Sequence, residues 1–143
     1  MVDARRLLRE LGRTSTQFAA AVDRRLQREV GLPLVLFDPM SVIASRESCR
    51  VYELASELGV SSGGASKLVD RLEARDYCHR FPNPVDRRSS LLKLTPAGGA
   101  LLVKAQRIVD AELDVMLGSR LSSIQIEQLA AMLHDLRAAM PGD

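Results

Sequence analysis

Apolar residues recur along most of this chain at intervals of three and four, the spacing of one face of an α-helix. From Asp3 to Val30 the positions Leu7, Leu8, Leu11, Phe18, Val22, Leu26 and Val30 keep that spacing, interrupted only by Gly12. One long helix is predicted, with Gly31 as its stop. After Pro33 the stretch Leu34 to Ser45 carries Leu34, Val35, Phe37, Met40, Val42, Ile43 and Ala44, so a largely buried helix is predicted there despite Pro39. Ser45 to Arg50 reads as a polar loop.

Two short stripes follow. Val51, Leu54, Ala55 and Leu58 predict an amphipathic helix that Gly59 ends in a left-handed turn. Ser61 is placed to cap the next, in which Ala65, Leu68, Val69 and Leu72 repeat the spacing. The small Ala55 lets the two axes approach and Gly59 supplies the positive φ between them, so the pair reads as a helix-turn-helix. Tyr77 to Phe81 and Leu91 to Leu94 are short runs of strand formers around a Pro82-Asn83-Pro84 turn, a β-hairpin with a basic tip. Thr95-Pro96 then launches a long helix through Leu101, Leu102, Ala105, Ile108, Val109 and Val115 to Gly118. Ser122 with Gln125 is a capping box for a last helix whose Ile126, Leu129, Leu133, Leu136 and Met140 alternate by three and four.

A helix-turn-helix followed at once by a basic hairpin is a winged helix. The predicted class is therefore mainly α with a small β-hairpin wing, a winged helix-turn-helix lobe over residues 33–95. The long helices of 1–32 and 96–143 have more apolar surface than one small chain needs, so they are expected to form a dimerisation lobe shared between two copies.

Composition changes this picture little, and charge changes it more. A length of 143 residues supports one domain, or one domain with a helical extension; 46% hydrophobic and 27% charged residues suffice for a core without disulfides. With 3% aromatic residues and no Trp, an aromatic cage or a stacking platform for single-stranded bases is excluded. The net charge of +2 looks neutral, yet residues 1–30 hold seven Arg against four acids and residues 61–103 hold seven Lys and Arg against four acids. Residues 31–60 and 104–143 are each −2. Binding of a polyanion depends on the charges at the contact, so the basic segment that contains the hairpin is a candidate footprint.

No apolar run is long enough for a transmembrane helix. Arg5, Arg6, Arg9 and Arg13 interleave with Leu7, Leu8 and Leu11 in helical rather than signal-peptide fashion, so a cytoplasmic location and no membrane partner are expected. Cys49 and Cys78 form no CxxC pair and have no clustered histidines, and with His79 and His134 they make a poor catalytic inventory. No enzyme, metal or cofactor is expected.

The stretches Val51 to Ser61, Ser66 to Glu73 and Asp86 to Gly98 carry a resemblance. The last, Asp-Arg-Arg-Ser-Ser-Leu-Leu-Lys-Leu-Thr-Pro-Ala-Gly, has an Asp-x-Arg tip, a strand, and Leu-Thr-x-x-Gly entering a helix. Over about residues 33–137 the chain resembles the MarR family, the multiple-antibiotic-resistance-type bacterial transcription regulators. That resemblance implies a homodimeric regulator, more often a repressor, on a pseudo-palindromic operator in double-stranded DNA. Each recognition helix would enter a major groove and each wing tip the adjacent minor groove. A small, often aromatic anion would bind between the dimer helices and the DNA-binding lobe and release the DNA.

By the same pattern Arg88 enters the minor groove while Asp86 pairs with it and holds its orientation; the alternative is a solvated tip whose ion pair is worth little. Arg87 is a phosphate contact or merely exposed. Ser61, Ser62, Ser66 and Lys67 lie at the start and on one face of the recognition helix, opposite Leu68 and Leu72, within reach of phosphates and base edges. Arg71 reaches a phosphate or pairs with an acid of its own helix.

Gly63 and Gly64 depart from the family's larger groove-facing residues, which makes direct readout sparse and DNA shape more important. Asp76 replaces the usual glycine before the wing, and Asp tolerates the left-handed conformation. His79 is expected at phosphate or solvent, and Met40, Met116, Met132 and Met140 in the core. Two rival readings are a regulator that senses oxidants through Cys49 or Cys78, and a winged helix that binds proteins rather than DNA.

Overall fold

The first helix, α1 (Ala4–Val30), begins where the Asp3 carboxylate accepts from the amides of Arg5 and Arg6, at 3.1 and 3.2 Å. It ends where Gly31 turns left-handed at φ 66°. Gly12 does not interrupt it; the carbonyl there accepts from Thr16 Oγ1 at 2.9 Å. The second helix, α2 (Leu34–Ala44), follows Pro33, which offers no side-chain cap. Asp23 of α1 takes that role, its Oδ1 accepting from the Leu34 amide at 2.8 Å. Leu36, Pro39, Met40 and Ile43 face inward. This computed structural model describes residues 3–140.

The expected loop from Ser45 to Arg50 needs correction, because its last two residues are a strand, β1 (Cys49–Arg50). Two residues carry no readable alternation; the strand exists because it completes the edge of a later one. The helix-turn-helix is α3 (Val51–Leu58) and α4 (Ser62–Ala74), with Gly59 at φ 66° between them and Ser61 Oγ accepting from the Gly64 amide at 3.0 Å. Asp76 adopts φ 57°, the only positive φ outside glycine among the described residues. The hairpin strands are β2 (Cys78–Pro82) and β3 (Ser90–Leu94). The sheet is thus three-stranded and antiparallel in the order β1-β3-β2, rather than a two-stranded hairpin. Leu92 lies between Cys49 and Arg80 in register, and Leu94 opposite Cys78, so these five share the inward face.

The fifth helix, α5 (Pro96–Leu117), starts at a tight joint. Thr95 accepts from the Gly98 amide at 2.9 Å, donates its hydroxyl to the Asp76 carbonyl at 2.6 Å, and donates its own amide to the Tyr77 carbonyl at 3.1 Å. Gly98 lies against the Tyr77 backbone, where a Cβ would come within 2.9 Å of the carbonyl carbon and nearer still to its oxygen. The Leu-Thr-x-x-Gly pattern therefore describes a place where a helix end touches another backbone. The sixth helix, α6 (Ser123–Ala138), opens with the Ser122–Gln125 capping box.

One cluster of buried residues joins α1 (Val22, Leu26), α2, α3, α4, the sheet and α5 (Leu102, Ala105). Arg25 of α1 seals the α1/α5 seam, with Glu112 and Glu29 each at 2.9 Å. α6 has no buried residue at all. Of the methionines expected in the core, Met40 is there, Met116 is half-buried, and Met132 and Met140 are 58% and 66% exposed. α6, which carries Met132, has the periodicity of a packing seam, and one chain does not supply what the seam packs on.

Candidate nucleic-acid interface

The site is built on two elements whose backbones are held by local chemistry. α4 presents Ser61, Ser62, Gly63, Lys67 and Arg71 to solvent and buries Ala65, Val69 and Leu72, so one face is anchored and the other is open. A Cβ added at Gly63 would meet only Ser61 Oγ, at 4.0 Å, so the start of the helix offers bare backbone to the outside. Ser66 differs from its neighbours: it is half-buried and its Oγ accepts from Arg80 Nη2 at 3.2 Å.

The wing tip is a hydrogen-bonded loop. Asn83, 3% exposed, donates Nδ2 to Ser89 Oγ at 3.1 Å and accepts from the Val85 amide at 3.0 Å. The expected pairing of Asp86 with the Arg88 guanidinium is corrected in form: Asp86 Oδ1 accepts from the Arg88 backbone amide at 3.0 Å. The carboxylate thereby shapes the turn that projects Arg88 and leaves the guanidinium to solvent. Arg87 is exposed beside it.

All four acids of residues 61–103 are occupied. Asp70 and Glu73 both bind Arg80, at 2.8 and 2.7 Å; Asp76 Oδ1 lies 3.3 Å from His79 Nε2; Asp86 holds the wing turn. Lys67, Arg71, Arg75, Arg87, Arg88 and Lys93 make no ion pair among the described residues. Arg71, for which an intrahelical partner was an open option, offers only its carbonyl, to Arg75. Six of the seven cations of residues 61–103 are therefore left without an acid partner among the described residues, most of them on the open face of α4 and the wing. Arg80, which binds two acids at once, is the residue of this region that the sequence did not single out. Its spacing to Ser66, Asp70 and Glu73 has meaning only once β2 lies on α4.

Cys49 and Cys78 lie inside, both without exposed surface. Burial pushes the Cys49 thiol up, and burial with the nearby Glu73 charge pushes Cys78 up to about 11. Neither has the lowered pKa of a reactive thiol, so the oxidant-sensing alternative is not favoured. Away from this face, a cavity of about 560 Å³ lies between α1 and α6, lined by Leu7, Leu11, Phe18, Leu129 and Leu133 with Glu10 at its edge. It does not lie between the helices and the DNA-binding lobe, where the resemblance places a ligand.

A winged helix with an unpaired cationic face is a general shape; the sequence match makes it specific. The MarR family profile matches residues 34–90, from α2 through both helices of the helix-turn-helix to the start of β3. That segment, about two fifths of the chain, is similar to the MarR family. The multiple antibiotic resistance protein MarR of Escherichia coli strain K12 is 32% identical over 81 residues, 57% of this chain and 56% of that protein. The chain thus spans about half the length of the curated relatives it matches. Solved MarR-family structures extend the likeness of fold over nearly the whole chain. Sco3205, a MarR family transcriptional regulator from Streptomyces coelicolor in complex with DNA, has a TM-score of 0.87 at 23% identity, covering 99% of this chain and 91% of that one. The transcriptional repressor CouR, bound to a 23-mer DNA duplex, has a TM-score of 0.81 at 26% identity, covering 89% of both chains. No helix among the described residues is long and apolar enough to cross a membrane.

Proposed function

We propose that this protein is a sequence-specific transcriptional regulator that binds double-stranded DNA as a homodimer, acts in the cytoplasm, and performs no catalysis. The observation that carries the reading is the unpaired cationic face of α4 and the wing, on which every acid is already engaged. In this reading α4 enters the major groove with Ser61, Ser62 and Lys67 at its leading end and Arg71 at a phosphate, while Arg88 enters the minor groove beside Arg87. Ser66 Oγ accepts from Arg80 and keeps its hydroxyl hydrogen for a phosphate. Gly63 brings backbone close to the duplex and takes part of the readout away from side chains.

The dimer is supported by the apolar side chains that α1 and α6 leave exposed, Leu7, Leu8, Ile124, Leu129, Leu133 and Leu136 among them. Residues 1–32 and 96–143 then serve dimerisation and 33–95 DNA binding. Repression, with release by a small aromatic anion, belongs to the same reading and rests on family likeness alone.

The test is selection of genomic fragments on the purified protein, followed by titration of an enriched fragment against a scrambled duplex. Enrichment of a pseudo-palindromic site is expected. Arg88→Ala is expected to weaken binding and to reduce the salt slope by about 1.8, about 0.9 for each of the two arginines lost from the dimer. Failure to enrich any fragment would overturn the reading in favour of a protein-binding winged helix.

A further inference from the structure

We propose that Arg80 is a positioning residue that locks the wing to the recognition helix at one angle, and that operator selectivity depends on that lock. The consequence for selectivity rests on the DNA-binding reading above; the lock itself does not. Arg80 lies on the inward face of β2, the strand that leads out to the wing tip. Its guanidinium reaches Glu73 Oε2 at 2.7 Å, Asp70 Oδ1 at 2.8 Å, and both the carbonyl and the Oγ of Ser66 at 3.2 Å. Glu73 Oε1 also accepts from the Arg80 amide at 2.8 Å, so backbone and side chain of one strand residue are gripped together.

Ser66, Asp70 and Glu73 are spaced by four and three, one stripe along two turns of α4. A strand touching a helix through apolar residues can slide or rock. A planar fork bonded at three levels of the helix cannot do so without breaking charged hydrogen bonds. Among the described residues these are the only ion pairs between α4 and the wing. Lysine would keep the charge and lose the fork. The same contacts turn two carboxylates of the recognition helix toward Arg80 and offset one of their two charges.

Two measurements on the full chain test this. Spin labels on Ala74→Cys and Val85→Cys, with labelled protein diluted into unlabelled protein, read the helix-to-wing distance without DNA; Cys49 and Cys78 are buried and stay unlabelled. A narrow distribution is expected in the parent and a broader one after Arg80→Lys or Arg80→Ala; equal widths would overturn the lock. Circular dichroism confirms folding, and Glu73→Gln serves in place of Arg80→Ala if that variant does not fold. On DNA, Arg80→Lys is expected to lower the operator-to-scrambled affinity ratio by about ten-fold while leaving scrambled-duplex affinity near the parent value. An unchanged ratio would overturn the link to selectivity. A parent protein that does not discriminate the two duplexes would sink the DNA-binding reading, while the distance measurement still decides the lock.

Discussion

Replacing Gly98 by alanine tests whether the joint between wing and α5 is as tight as the structure has it. The added Cβ would lie 2.9 Å from the Tyr77 carbonyl carbon and 3.0 Å from its Cα, with the carbonyl oxygen closer. All three are backbone atoms, so no rotamer change relieves the contact; the end of α5 must retreat by about 1 Å to restore ordinary separations. Overpacking of this kind costs about 1–3 kcal/mol. The retreat also strains the Thr95 bonds to Asp76 and Tyr77, each worth about 1 kcal/mol. Alanine returns about 1 kcal/mol of helix propensity, leaving a net loss of about 2–4 kcal/mol, against total stabilities of about 5–15 kcal/mol. Gly99 is the internal control, since a Cβ there meets nothing within 4 Å. Denaturant unfolding followed by circular dichroism, at one fixed protomer concentration, should show Gly98→Ala strongly destabilised and Gly99→Ala equal to or above the parent. Similar midpoints for the two variants would refute the argument.

Three further outcomes follow from other parts of the molecule. Leu133, 41% exposed on α6, should tolerate Asp within the protomer while a buried carboxylate opposes association in the proposed homodimer; sedimentation should show dimer for the parent and monomer for the variant, and a persistent dimer would rule α6 out of its interface. With its thiol pushed from 9.0 up to about 11, Cys78 should hold about 100-fold less thiolate at pH 8 than an ordinary cysteine. Native protein should react with a disulfide reagent only on unfolding, and rapid stoichiometric labelling would contradict this. Glu29, hydrogen-bonded to Arg25, is held below the ordinary carboxylate value of 4.5, so its contribution to stability is complete above pH 4.5 and fades as pH falls through the lowered value. The difference in melting between parent and Glu29→Gln should therefore shrink as the buffer is acidified below 4.5; a constant difference would show that the charge plays no part.

Elements whose start and stop are encoded within four residues were legible in the sequence. Gly59 and Ser61 bracket the turn of the helix-turn-helix, Thr95-Pro96 opens α5, Ser122 and Gln125 open α6, and each acts there through its own side chain or φ. What was not legible depends on residues brought together from a distance. β1 exists only as a partner of β3, and α2 is capped by Asp23 from eleven residues earlier. Asp86 satisfies an amide two residues on rather than the guanidinium of that same residue, a choice between two nearby donors that spacing does not resolve. The candidate site divides along the same line. The exposed seryl, lysyl and arginyl side chains were visible as a basic segment, whereas Ser66 and Arg80 change meaning when the sheet closes on α4.

The continuity of the core bears on how such a molecule responds to anything that binds it. Because α1 and α5 share one buried cluster with α3, α4 and the sheet, no break in the core among the described residues separates α4 and the wing from those two helices. In the homodimer proposed above, a change in the separation of the two α4 helices would then be a rocking of whole protomers, pivoting where α1 and α6 of the two copies would meet. A small displacement near that pivot is enlarged with distance along the protomer. If that dimer binds DNA as proposed, substitutions on α1 and α6, far from α4 and the wing, should therefore retune which operator spacings it accepts.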